Sequence, residues 1–180
     1  PMGLKAHYKA ISDAVTLPII AYSVPSRTGV NISASLMAEL AQIENVAAIK
    51  EASGNMDQVV AIAHACGDAI DIYSGEDALT VPMMSMGAKG VISVAANIVP
   101  GDVQAMCSLA LAGNFEAAAA AQKKLYPLIK ALFCEVNPIP VKSAAAAMGL
   151  CSSTLRLPLT EMAPENLERL ISAMRQYGII

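Results

Sequence analysis

Val46-Ala47-Ala48-Ile49-Lys50-Glu51-Ala52-Ser53-Gly54-Asn55 is an apolar run that ends in a lone ammonium and then in turn residues. A short continuous apolar segment bounded by Gly and Asn reads as a buried strand. Strands of parallel sheets look like this because both of their faces are covered. A lysine at the carboxyl end of such a strand stands where open α/β sheets and barrels place their ligands. It has two uses there. It can be a structural cation paired with a neighbour such as Glu51, or an amine tuned to attack a carbonyl and form a Schiff base.

Outward from this stretch, the same rhythm repeats. The spacing predicts a helix over Leu4 to Val15, then a buried strand Pro18-Ile19-Ile20-Ala21-Tyr22 and a turn-rich Pro25-Ser26-Arg27-Thr28-Gly29. Ser33 is placed to cap a helix from Ala34 to about Ile43. After the Lys50 strand come a helix from about Met56 to Ala65, stopped by Gly67, and a strand Ile70 to Tyr73. Asp77 is placed to cap a helix running to Met86, bent at Pro82, with Gly87 as its stop. Gly90-Val91-Ile92-Ser93-Val94 reads as a fourth strand. Beyond it only helical patterns follow: Gly101 to Leu111, Asn114 to about Leu132, Ile139 to Met148 and Pro164 to Tyr177. The expected division is residues 1–94 as β/α units and residues 95–180 as a helical region. Four strands separated by helices indicate a parallel α/β arrangement. Such a set forms an open sheet or is half of an eight-unit barrel.

Composition narrows the class. The 180 residues are 55% hydrophobic, with a mean hydropathy of +0.50, yet no apolar stretch reaches the ~18 residues of a membrane span. The excess must be buried in a core or against partners. A net charge of −3 with scattered basic residues argues against a nucleic-acid surface. Cys66, Cys107, Cys134 and Cys151 form no CxxC, and His7 and His64 are the only imidazoles. Four buried thiols in a reducing compartment, with neither metal nor cofactor, are therefore expected, in the cytoplasm.

The polar residues that interrupt the apolar strands fall at matching places: Tyr22, Lys50, Gly75 with Glu76, and Ser93. In a parallel sheet these ends face one mouth. A phenol, an amine, a Gly turn and a hydroxyl gathered there suit carbonyl chemistry, and Arg27 adds a fixed cation for a carboxylate. A free lysine is about one part in 2,500 neutral amine at pH 7, so burial or nearby charge must tune it. Taken singly, each residue has a plainer use. Tyr22 suits a strand end, Arg27 a surface turn, and Glu76-Asp77 a helix cap rather than a metal pair. Met83, Met84 and Met86 suit packing.

Tyr22-Ser23-Val24-Pro25-Ser26-Arg27-Thr28-Gly29 and Ile49-Lys50-Glu51-Ala52-Ser53-Gly54-Asn55, with Ser74-Gly75-Glu76-Asp77, Gly90 to Val94 and Asn137-Pro138-Ile139-Pro140-Val141-Lys142, resemble the dihydrodipicolinate synthase / N-acetylneuraminate lyase family. The resemblance covers essentially the whole chain. It implies a Schiff-base (β/α)8 barrel, of which these residues are the second half followed by a helical region. It implies that Lys50 forms an imine with pyruvate and that Tyr22 relays protons. Arg27 would hold the carboxylate of a second substrate, aspartate 4-semialdehyde, and the backbone at Gly75 and Ile92 would line the pyruvate pocket. It further implies a homo-oligomer, a tetramer in the family, and a missing amino-terminal half-barrel carrying the loop that binds the pyruvate carboxylate. Ser23 departs from the Asn usual in the family. Related 2-keto-acid aldolases and a non-catalytic assembly subunit are the alternative expectations.

Overall fold

β-Branched and small apolar residues dominate the segments that pair, and they pair in parallel. In the computed structural model, which describes residues 1–180, the strands are β1 (Ile19–Ser23), β2 (Val46–Glu51), β3 (Asp71–Ser74) and β4 (Gly90–Val91), in the order β1-β2-β3-β4. Between them run α1 (Met2–Ala14), a single helical turn α2 (Pro25–Thr28), α3 (Ala34–Leu40), α4 (Met56–Cys66) and α5 (Thr80–Ser85). Then come α6 (Pro100–Leu111), α7 (Phe115–Leu132), α8 (Ile139–Ala147) and α9 (Pro164–Tyr177). The α/β class with a parallel sheet and a helical carboxyl-terminal segment is as expected. Residues 1–92 and 93–180 form two compact units.

In the first unit the sheet has two unlike faces. Ala21, Ile49 and Ile72, neighbours in register, are buried, and so are Leu36, Met37 and Leu40 of α3 and Val59 and Ile62 of α4. Helix α3 packs on α4, and α5 packs on β3 and β4. The other face carries Ile20 at 47% exposure and Tyr22 at 43%. This corrects the expectation that the Tyr22 strand is buried: an apolar run records what a strand can be covered by, and here that face is exposed at β1, while Ala48 of β2, in register with Ile20, is buried at 3%. The four strands leave β1 and β4 as open edges.

Caps set the loop-to-helix entries. The Ser33 hydroxyl accepts from Leu36 N–H at 3.2 Å, as its position predicts. The Asn55 side chain accepts from Asp57 and Gln58 N–H at 3.0 and 3.3 Å, a cap the sequence reading left unassigned. Asp77 is not the residue immediately before the following helix; Leu79 is. Asp77 lies inside a 3-10 turn, Asp77–Leu79, that precedes α5, and the break falls ahead of Pro82 instead of at it. Proline in a first helical turn removes an N–H that has no intrahelical partner. The fourth strand is shorter than expected. Ile92 N–H still donates to Ser74 O at 2.9 Å, and the Ser93 hydroxyl accepts from Ala96 N–H in the 3-10 turn that follows.

In the second unit α7 packs on α6, α8 and α9, burying Leu125, Leu128 and Leu132 with Leu170 and Met174. The Tyr177 hydroxyl donates to Asp102 at 2.8 Å and tethers α9 to α6. The cysteines are not uniformly buried: Cys66 is buried, Cys107 and Cys134 are half-buried and Cys151 is exposed. Spacing excludes a motif but carries no information about depth. No helix is long and apolar enough to cross a membrane.

Candidate active site

A register shift between Ile19 and Ile20 sets Tyr22 directly opposite Lys50, and Lys50 in turn opposite Tyr73 on β3. Partners in register on parallel strands present their side chains to the same face. The row Tyr22, Lys50, Tyr73, Gly90 therefore crosses that face near the carboxyl ends of β1, β2 and β3 and at the first residue of β4. Lys50 Nζ lies 4.1 Å from the centroid of the Tyr22 ring. The ammonium sits over a phenol whose hydroxyl can exchange protons with whatever the amine attacks.

The alternative use of Lys50, an ion pair with Glu51, is not what the structure contains. Adjacent strand residues point to opposite faces. Glu51 turns into the protein at 1% exposure. Its carboxylate accepts from Ser53 N–H at 2.9 Å, from the Ser53 hydroxyl, and from the Gln58 amide at 3.3 Å.

Gly75 closes the mouth on the β3 side. Its N–H donates to Glu51 O at 2.7 Å, extending the ladder one residue past Lys50. A Cβ at Gly75 would stand 2.5 Å from the Ala52 Cβ and 3.2 Å from Lys50 Cε, so only glycine lets this turn approach the lysine arm. Ile92, exposed at 41%, follows β4 and bonds through its N–H to Ser74 O, the residue before Gly75. Arg27 lies on α2, an exposed turn closed by Gly29, whose φ of 68° suits glycine and whose N–H donates to Pro25 O.

Glu76 is the acid that sequence reading assigned to a cap. Burial pushes its carboxyl above the usual carboxylate range, and the charges of Asp77 and Glu51 push the same way; Arg27 and Lys50 oppose them. Both cations therefore act on one carboxyl. The Glu76 backbone is fixed by the Ser74 hydroxyl, which accepts from its N–H at 3.1 Å and donates to its carbonyl at 2.8 Å. The hydroxyl of Ser93, a residue expected at this mouth, accepts from Ala96 N–H at 2.9 Å in the turn that follows β4. No group of three His, Cys, Asp or Glu side chains is close enough to hold a metal ion. A cavity of about 360 Å³, lined by Asp68, Asp71, Met86 and Lys89 among others, lies at the opposite, amino-terminal ends of β3 and β4.

Comparison with known proteins gives a consistent set of relatives. Residues 1–177 match the sequence profile of the dihydrodipicolinate synthetase family. The chain is 50% identical over 178 residues to a 4-hydroxy-tetrahydrodipicolinate synthase of Geotalea uraniireducens, covering 99% of this chain and 61% of that one. The crystal structure of dihydrodipicolinate synthase from Aquifex aeolicus matches with a TM-score of 0.96 at 45% identity, over 99% of this chain and 61% of that chain. The chloride-inhibited enzyme from Acinetobacter baumannii, solved with pyruvate, matches with a TM-score of 0.97 at 43% identity, over 99% and 62%. The chain thus spans about three-fifths of the length of these relatives.

Proposed function

Because the chain belongs to the dihydrodipicolinate synthetase family, we propose that Lys50 is the amine that condenses with pyruvate in a synthase of the lysine and diaminopimelate pathway. The placement of Lys50 Nζ over the Tyr22 ring, with no ion pair to Glu51, is the observation that carries this reading. The neutral amine attacks the ketone carbon of pyruvate, and loss of water from the carbinolamine leaves the imine. Each of these steps moves a proton to or from oxygen or nitrogen. Tyr22 is the group in contact with the amine that can carry it. The imine then makes the pyruvate methyl acidic, and the resulting enamine carbon adds to an aldehyde.

In this reading the aldehyde is aspartate 4-semialdehyde. Arg27 holds its carboxylate, while the backbone at Gly75 and Ile92 borders the pyruvate, with no cofactor or metal. The product is the heterocyclic precursor of diaminopimelate and lysine, made by a cytoplasmic homo-oligomer. The four strands serve as half of a (β/α)8 barrel, the half that carries the imine lysine. A further four strands complete it against the open edges and the face bearing Ile20 and Tyr22.

That uncovered face also favours a second reading, in which the chain by itself is an assembly piece without turnover. A related 2-keto-acid aldolase is the remaining one. Arg27→Ala in the enzyme completed with the missing strands separates these. Condensation with aspartate 4-semialdehyde is expected to fall by about 10²-fold or more, the size of a lost charge-assisted clamp, with the pyruvate imine retained. Unchanged condensation would reassign the aldehyde. No turnover even in the unsubstituted completed enzyme would leave the assembly reading.

A further inference from the structure

Glu51 is a buried carboxylate whose bonding partners are all neutral, and it stands one residue beyond Lys50. Burying an ionisable carboxyl without a cation is unfavourable unless hydrogen bonds satisfy it. Its bonds reach in a specific direction. Gln58, which donates to both Glu51 oxygens at 3.3 and 3.4 Å, is also paired twice with Asn31: it accepts from the Asn31 amide at 2.6 Å and donates back to the Asn31 carbonyl oxygen at 3.1 Å. Asn31 lies four residues past Arg27 in the loop that returns from α2. That loop is pinned again where Ile32 N–H donates to the Ser23 hydroxyl, and where Thr28 bonds Val24 and Val30. On the other side, the Glu51 carbonyl accepts from Gly75 N–H, and Ala52 N–H donates to Ser23 O at 2.9 Å.

One buried residue therefore joins the loops that follow β1, β2 and β3. A local capping role does not account for it, because Asn55 already caps α4. We infer that Glu51 is a positioning residue: through Gln58 and Asn31 it sets the Arg27 loop at a fixed separation from Lys50, and so sets where the carboxylate of the second substrate lies relative to the imine. This rests on the assignment of Lys50 and Arg27 proposed above.

Glu51→Gln keeps the shape but removes the charge and replaces one of the two oxygens that accept from the Gln58 amide with an NH2 group, which weakens the Gln58 link. The test compares the wild type, Glu51→Gln and Gln58→Ala by two readouts. The first is amide hydrogen exchange over residues 24–33 in the chain itself. The second is KM for aspartate 4-semialdehyde and for pyruvate in the completed enzyme, with borohydride trapping at Lys50 alongside. Both variants are expected to speed exchange in that loop and to raise KM for the aldehyde about tenfold, the size of one lost hydrogen bond to a charged group. Trapping and KM for pyruvate are expected to stay within about twofold of wild type. Adding Asn31→Ala to Glu51→Gln should cost little more, because both act through one chain of bonds.

Equal losses in pyruvate and aldehyde parameters would overturn the inference, as would unchanged loop exchange in folded variants. Should Glu51→Gln fail to fold, Gln58→Ala carries the same decision from the half-buried end. A wild type that does not trap pyruvate would sink the functional reading, while the exchange arm would still decide whether Glu51 holds the loop.

Discussion

At the residue scale, Glu76 shows how the site differs from a surface cluster of charges. A solvated carboxyl beside two cations would ionise more readily than usual. Burial here outweighs Arg27 and Lys50, and the net direction is upward. A carboxyl whose folded pKa exceeds its unfolded one lends stability below the ordinary value near 4.5, and this is lost as pH rises through the folded value. Wild type measured against Glu76→Gln is thus expected to lose relative stability as pH rises from about 4.5 toward neutrality. Urea midpoints at a series of pH values would check this, and a difference that stays flat or grows the other way would contradict it. Lys50 itself was legible in the sequence because an ammonium ending an apolar run is uncommon. The pairing with Glu51, one of the two uses open to Lys50, could not be set aside until strand alternation is imposed, because adjacency in sequence says nothing about direction.

At the element scale, the four strands and the long helices were readable because period and breakers agree. Ser33, Gly67 and Gly87 fall where hydrogen-bonding ends, and Pro164–Tyr177 begins and ends where the pattern places it. The misreadings share a cause: short polar residues near helix starts satisfy caps in several equivalent ways. Asp77 and Asn55 both fit the cap pattern; Asn55 stands at the N-cap of α4, whereas Asp77 opens a 3-10 turn ahead of α5. Depth was not legible either, since Ile20 and Ile49 are the same residue type on faces with opposite fates. Ile49 is fully buried on the covered face. Ile49→Ala is expected to destabilise the chain by about 2–5 kcal/mol in urea unfolding. A loss under about 1 kcal/mol would mean that the covered face is not a packed core.

At the scale of the whole molecule, the sheet has two open edges and an exposed stretch on β1. Its inner row carries Tyr22 and Lys50, its edges are unpaired, and Ile20, Tyr22 and Ile92 stand exposed near the strand ends. Open parallel edges and an exposed apolar face favour association. The chain is expected to scatter light as a species heavier than its 18.6 kDa monomer. A monodisperse monomer at high concentration would argue that the exposed face needs no partner. The high hydropathy registered this excess at the outset, but composition cannot say which face carries it.

The most direct measurement is borohydride reduction of the chain in the presence of pyruvate, read by intact mass and then by peptide mapping, with Lys50→Arg as the control. One reduced pyruvate per chain, located on Lys50 and absent from the control, is the expected result, with completing strands added if the chain alone leaves the amine too solvated. An adduct spread over several lysines, or none on Lys50 even in the completed barrel, would contradict the assignment of Lys50 as the imine-forming amine.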